Sequence, residues 1–280
     1  MSIIRRRALK GALVATAVAV ATATVAGTAS AAEAPVAPTF EMYGANKVTH
    51  DLQVWYPIGD GSFETIGPLD DVADVADIIG ADNDNDGLSE SEWTVYKNGR
   101  LDFYNYNGDD LDANTVGRGW NTYSTVLSPG NLGGAKEADL IGVDKTGVLY
   151  SYLAYPDGRL TPRVRVGGGW NTYSQIAGQG DLTGDAKADI VARDKTGVLW
   201  LYKGTGNWKA PFTGRTKIGS GWNAYDRLVS TGDINLDGKV DLLARKSNGD
   251  LFRYLGTGNA VAPFKAPVKV GGGFQKFNLF

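Results

Sequence analysis

Oxygen-bearing side chains recur at alternate positions in four short stretches of this sequence. The fullest copy is Asp233-Ile-Asn235-Leu-Asp237-Gly238-Lys239-Val-Asp241. Asp82, Asp84, Asp86 and Glu90 repeat the spacing, with Gly87 in the sixth place. Asp181, Thr183, Asp185 and Asp189 repeat it without the glycine, and the stretch from Asn131 to Asp139 has lost most of the donors. Alternate side chains on a curled loop converge on one point. A main-chain carbonyl at the seventh place (Leu88, Lys187 or Lys239) and a carboxylate at the ninth would close a cage, and a glycine at the sixth permits the sharp turn. Six or more hard oxygen donors suit Ca²⁺ better than Mg²⁺ or a transition metal. An EF-hand is excluded, because the twelfth place counted from Asp82 is Trp93 rather than a bidentate Glu. Asp, Asn and Gly also make ordinary turns. Recurrence at a fixed interval favours cation sites at the Asp82 and Asp233 copies, then at the Asp181 copy, and the Asn131 copy is expected to be empty.

A second recurrent set is aromatic: Trp120/Tyr123, Trp170/Tyr173, Trp222/Tyr225 and Phe274/Phe277. Large rings at a repeated position fill the space between neighbouring units, or they line pockets in which a sugar stacks. The copies Trp170-Asn171-Thr-Tyr173 and Trp222-Asn223-Ala-Tyr225 keep both the full opening and an acidic loop, so they are the candidate ligand positions. Asn171 and Asn223 would supply the polar contacts.

Other chemistries have little support. There is no Cys and one His, so no thiolate nucleophile or disulfide exists and a histidine-dependent triad would rest on His50, which reads as a turn residue. A carboxylate pair for glycoside cleavage would have to come from acids that the repeated loops already explain. The run Asp70, Asp71, Asp74, Asp77 reads as a solvated edge. The triple glycines at 167–169 and 271–273 lack the strand–helix setting of a phosphate loop and read as room for the chain at a crowded centre.

These side chains need a scaffold, and the sequence supplies it as a repeat. Gly-rich openings start at Val116, Val166, Ile218 and Val270, spaced by 50, 52 and 52 residues, and an eroded copy starts at Ile66. Fixed periods of this size signal propellers or solenoids. Inside a unit, Ala188–Arg193, the turn Asp194–Gly197 and Val198–Lys203 read as a hairpin. Val198–Tyr202 is apolar throughout, as in a strand covered on both faces. The expected units are 66–115, 116–165, 166–217 and 218–269. The partial units 270–280 and 40–65 add up to one more, in which the C-terminal strand pairs with N-terminal strands and closes the ring. The fold expected is all-β, a five-bladed propeller of about 50-residue repeats over 40–280.

Residues 1–31 read differently. Arg5, Arg6, Arg7 and Lys10 precede an apolar stretch from Gly11 to Val25, and Ala29-Ser30-Ala31 offers a cleavage site, the layout of a secretory signal peptide better suited to the Sec than the twin-arginine route. Residues 32–39 then form a short linker. The apolar stretch is short for a membrane span, so none is expected once the signal is removed. The whole chain carries a net charge of −3. Without its four N-terminal cations it has 24 basic and 31 acidic residues, a net charge of −7, which argues against nucleic acid as a partner.

GDINLDGKVDLLAR and GDLTGDAKADIVAR, followed by GVLWLYKGTG, resemble the FG-GAP/VCBS repeat family of integrin-type propellers. The resemblance implies a Ca²⁺-bearing propeller that binds other molecules and usually lacks catalysis. It extends to bacterial and fungal propeller lectins and to accessory modules of secreted hydrolases. The expectation is therefore a secreted, non-enzymatic binding module with an extracellular glycan as ligand. The alternatives are an interaction module for a protease or cell-wall protein, and a glycan-cleaving enzyme.

Overall fold

A computed structural model describes residues 37–107 and 110–280. The expected signal peptide, 1–31, and most of the expected linker lie outside the described residues. The described strands are β1 (Met42–Asn46), β2 (Leu52–Pro57), β3 (Phe63–Ile66), β4 (Val75–Ala81), β5 (Ser91–Tyr96), β6 (Leu101–Asn107), β7 (Asp110–Gly117), β8 (Tyr123–Gly130), β9 (Asp139–Asp144) and β10 (Leu149–Tyr152). They continue with β11 (Val164–Gly167), β12 (Tyr173–Ala177), β13 (Ile190–Asp194), β14 (Leu199–Tyr202), β15 (Thr216–Gly219), β16 (Arg227–Val229), β17 (Leu242–Arg245), β18 (Leu251–Tyr254), β19 (Val268–Gly271) and β20 (Phe277–Leu279).

They form five antiparallel four-stranded sheets, the blades of a propeller. Blade 1 is β20-β1-β2-β3, and blades 2 to 5 take β4–β7, β8–β11, β12–β15 and β16–β19 in chain order. Blade 1 closes the ring: β20 pairs antiparallel with β1, with Gly44 opposite Leu279 and Asn46 opposite Phe277. That pairing removes the two inner edges a linear array would leave. Five separate clusters of buried apolar side chains lie between the blades. The one between blades 1 and 5 contains Met42, Trp55, Leu243, Leu251 and Leu279, so residues from both ends of the chain share one core.

The first strand of each blade faces the axis. Together they enclose a small central cavity of about 120 Å³, lined by Asp77, Ser128, Gln179, Arg227 and Ser230 among others. Each Gly-rich opening bridges two blades. Gly167 ends the outer strand of blade 3, Gly169 takes φ +90°, and Trp170 begins a short 3-10 turn that leads into blade 4. Gly119, Gly221 and Gly273 adopt the same left-handed conformation. This corrects the crowding expected at the glycines. They sit at the outer strand rather than the centre, and a Cβ on Gly169 would meet nothing within 4 Å. Glycine is needed there for its backbone angle.

Candidate functional site: acidic loops and the aromatic blade faces

The four acidic stretches are the loops from the first to the second strand of blades 2 to 5. In blade 1 that position falls between β20 and β1, the two ends of the described chain. In three of the loops the first residue is a carboxylate that ties the curl together. Asp82 accepts from the Gly87 amide at 3.0 Å, Asp181 from Ala186 at 2.6 Å and Asp233 from Gly238 at 2.6 Å. All three donors sit in the sixth place with positive φ, which costs the two glycines nothing but strains Ala186 at +61°.

The ninth place does structural work. Asp189 accepts from Leu182 at 3.1 Å through one oxygen and from Gly204 at 2.7 Å through the other. Asp241 does the same with Ile234 and Gly256, and Asp139 with Leu132 and Ala154. These buried carboxylates fasten the loop to the chain just beyond the third strand. The Asn131 copy, poor in other donors, has kept this one.

Two groups of carboxylates converge so that their oxygens lie within 4.8 Å of one another: Asp82, Asp84 and Asp86, and Asp181, Asp185 and Asp189. Asp233, Asp237 and Asp241 are not such a group among the described residues. The environments differ as well. Asp185 pairs with Lys203 at 3.0 Å, and Asp237 lies 3.8 Å from Lys265. Among the described residues no lysine or arginine pairs with the Asp82 loop. Asp82 is 7% exposed, and its Oδ1, like Glu90 Oε2, is a buried acceptor with no hydrogen-bond partner. Burial pushes Asp82 up to about 6 and Glu90 up to about 7, and neighbouring carboxylates add to both shifts. Asn235 Oδ1 of the Asp233 loop is likewise unpartnered. An unpartnered buried acceptor costs about 1–3 kcal/mol, and a cation would satisfy these oxygens. The donor set therefore fits a hard metal ion, which Asp82, Asp84 and Asp86 would hold with Glu90 beside them, and Asp181, Asp185 and Asp189 would form a second position. The seventh-place residues belong to the same end of the propeller. Lys187 and Lys239 line a basin of about 650 Å³ together with Asp82, Asp181 and Pro38, and Leu88 bridges to Thr39.

The aromatic openings are interblade packing. Trp170 and Trp222 are each 8% exposed. Trp170 lies 4.8 Å from the Tyr202 ring and Trp222 4.7 Å from Tyr254. Their amides donate to Gly147 and Gly197 in the turns of the preceding blades, both at 2.9 Å. Tyr173 and Tyr225 join their hydroxyls to Tyr202 and Tyr254, at 2.5 and 2.7 Å. Asn171 and Asn223 are exposed but stand against those same turn glycines. Neither indole offers an open face, so the sugar-platform role drawn for this set does not suit its geometry. Other rings do reach solvent, and at the second register position of the third strand blades 3, 4 and 5 each place one, Tyr150, Trp200 and Phe252, all half-buried. Trp200 is held in place by Nε1 donating to Asp194 at 2.8 Å.

Two further groups fall outside the motifs. Asp77, expected on a solvated edge, faces the central cavity, where burial pushes it up to about 6 and Arg227 partly offsets the shift. His50 is exposed in the turn between β1 and β2. Among the described residues no helix is long and apolar enough to cross a membrane.

Comparison with known proteins adds family information for one part of the chain. Residues 181–244 match the family model described as FG-GAP-like repeat. The sequence matches no curated protein. Among solved structures, an arginine-to-alanine triple mutant of AofleA from Arthrobotrys oligospora superposes with a TM-score of 0.50 at 13% identity, over 84% of this chain and 73% of that one. The BP39L lectin from Burkholderia pseudomallei gives 0.49 at 13% identity, over 84% and 71%. Prp20p from Saccharomyces cerevisiae gives 0.40 at 13% identity, and the match covers 83% of this chain but only 62% of that one. These likenesses concern the fold. The chain is a five-bladed β-propeller, and its residues 181–244 carry an FG-GAP-like repeat.

Proposed function

We propose that this protein is an exported, calcium-bearing propeller that binds an extracellular glycan and performs no chemistry on it. The observation that carries the glycan reading is repetition. Three successive blades present a half-buried ring at one register position, Tyr150, Trp200 and Phe252. Several weak equivalent sites gain strength together on a polymer. Calcium is favoured as the ion because the converging ligands are all oxygens. A binding role is favoured over catalysis because the acids of the repeated loops serve the curl and the strand beyond it. A glycan array probed with and without a chelator tests the reading. Binding to a defined set of glycans, weakened by chelation, supports it. Binding to none of them, together with capture of an extracellular protein, replaces it with the protein-interaction alternative.

A further inference from the structure

The three half-buried rings do not stand alone. On the neighbouring outer strand each faces a cation: Tyr150 is opposite Arg165, Trp200 opposite Lys217 and Phe252 opposite Lys269. In every case the register shifts just before the ring, at Leu149/Tyr150, Leu199/Trp200 and Leu251/Phe252. Such a bulge re-aims the side chain that follows it.

Blades 3 and 4 carry a second cation over the ring. The Arg163 guanidinium carbon lies 4.3 Å from the Tyr150 centroid, and that of Arg215 lies 4.1 Å from Trp200. Both are also hydrogen-bonded. Arg215 donates to the Tyr173 hydroxyl at 2.6 Å and Arg163 to the Tyr123 hydroxyl at 3.3 Å. Stacked and bonded in this way, each guanidinium is held in one orientation with donors to spare. Among the described residues, none of Arg163, Arg165, Arg215 and Lys217 makes an ion pair. In blade 5 Lys269 is already taken by Asp250 at 2.6 Å.

A charged outer strand also prevents edge-to-edge pairing, but that needs only a solvated charge. Blade 2 has an outer strand as well and carries Asp102 and Thr115 at the corresponding positions, hydrogen-bonded to each other at 2.8 Å. The cation shelf is therefore a feature of particular blades rather than a requirement of the fold. It stands out in a chain of net negative charge. It also lies toward the second-to-third-strand turns, which carry exposed Lys145 and Lys195, and away from the acidic loops at the other end of each blade.

We propose that the outer shelves of blades 3 and 4 bind a carboxylated polysaccharide, with an acidic sugar placed at each of Tyr150/Arg163/Arg165 and Trp200/Arg215/Lys217. A fixed guanidinium matches a carboxylate with two parallel hydrogen bonds, and two shelves on successive blades favour a polymer over a single sugar. This inference rests on the glycan reading and narrows it to acidic sugars.

The test measures binding of the intact protein to polygalacturonate, alginate and hyaluronate, to fully methyl-esterified polygalacturonate, and to inorganic polyphosphate. Wild type should bind at least one of the three acidic polysaccharides, and more weakly in high salt. If that polymer is polygalacturonate, its methyl ester should fail to bind. The double variant Arg163→Gln/Arg215→Gln should lose about tenfold or more in affinity, about 1.4 kcal/mol, with an unchanged melting temperature. Four results would overturn the proposal: binding to none of the acidic polysaccharides, equal binding of polygalacturonate and its ester, equal binding of polyphosphate, or wild-type affinity in the double variant. If a neutral glycan binds on the array while the acidic polysaccharides do not, the glycan reading stands and only this inference falls.

Discussion

The hydroxyl of Thr39 donates to the main-chain carbonyl of Asp233 at 2.8 Å, joining residues 194 positions apart. The Thr39 amide meanwhile donates to the Gly87 carbonyl at 2.9 Å, and the Asp233 amide to Pro38 at 2.7 Å. The segment entering blade 1 thus lies between the Asp82 and Asp233 loops and touches both. Buried Thr39 belongs to the fold rather than to a linker. Thr39→Val keeps the shape and removes the hydroxyl donor, so it should cost about 1 kcal/mol in chemical denaturation. It should also weaken cation binding at the Asp82 loop. Unchanged stability and unchanged cation affinity would show that the strap only rests on the loops.

Ala186 occupies the left-handed place that Gly87 and Gly238 fill in two of the other loops. Ala186→Gly should therefore stabilise the protein by about 1 kcal/mol, even though glycine is usually the worse choice for the unfolded state. The sign of the shift in denaturation midpoint checks this directly.

Trp222 separates structural from ligand-binding aromatics. It is enclosed by Tyr225, Tyr254 and Phe264, and Arg193 donates to its carbonyl and to that of Tyr225. Trp222→Ala should cost about 3–5 kcal/mol in unfolding free energy. Trp200→Ala, on a half-buried ring, should cost less and should reduce glycan capture. The reverse ranking in melting and binding assays would return the sugar site to the openings.

Burial pushes Asp139 up to about 7 and Asp77 up to about 6, above the usual carboxylate range. The folded protein therefore holds these protons more tightly than the unfolded chain does. The associated stability is complete below about pH 4 and is lost as pH rises through about 6 to 7. Asp82 and Glu90 act in the same sense without a cation. Metal-free protein should melt at a higher temperature near about pH 5 than near about pH 8, and calcium should reduce the difference by replacing protons at the loops. A melting temperature that climbs with pH in chelator would contradict these shifts.

Much of the fold is legible in the sequence because both of its periods are explicit. The 50-residue spacing gives the blades, and the complementary ends give the pairing of β20 with β1. The first, third and fifth places of the acidic loops are legible for the same reason. The ninth is legible only in part: Asp189 converges with Asp181 and Asp185, yet its oxygens also accept from Leu182 and from Gly204, 15 residues downstream, which no local spacing announces. The aromatics fail similarly. Trp170 and Trp200 look alike in sequence, and only the position of the neighbouring blade buries the first and leaves the second half-open. Val198–Tyr202 reads as covered on both faces, yet Trp200 and Tyr202 stay half-buried while Leu199 and Leu201 are enclosed. The strap at Thr39 carries no motif, because its bonds are almost all main-chain.

We propose that cation binding at the acidic loops organises the end of the propeller where the strap sits, and a calorimetric titration of Ca²⁺ into chelator-stripped protein, paired with melting curves, tests it most directly. Saturable binding at the Asp82 loop is predicted, abolished by Asp82→Asn together with Asp86→Asn. The melting temperature should rise with Ca²⁺ as linkage requires, and Mg²⁺ should be a poor substitute. No heat of binding and identical melting in Ca²⁺ and in chelator would contradict it.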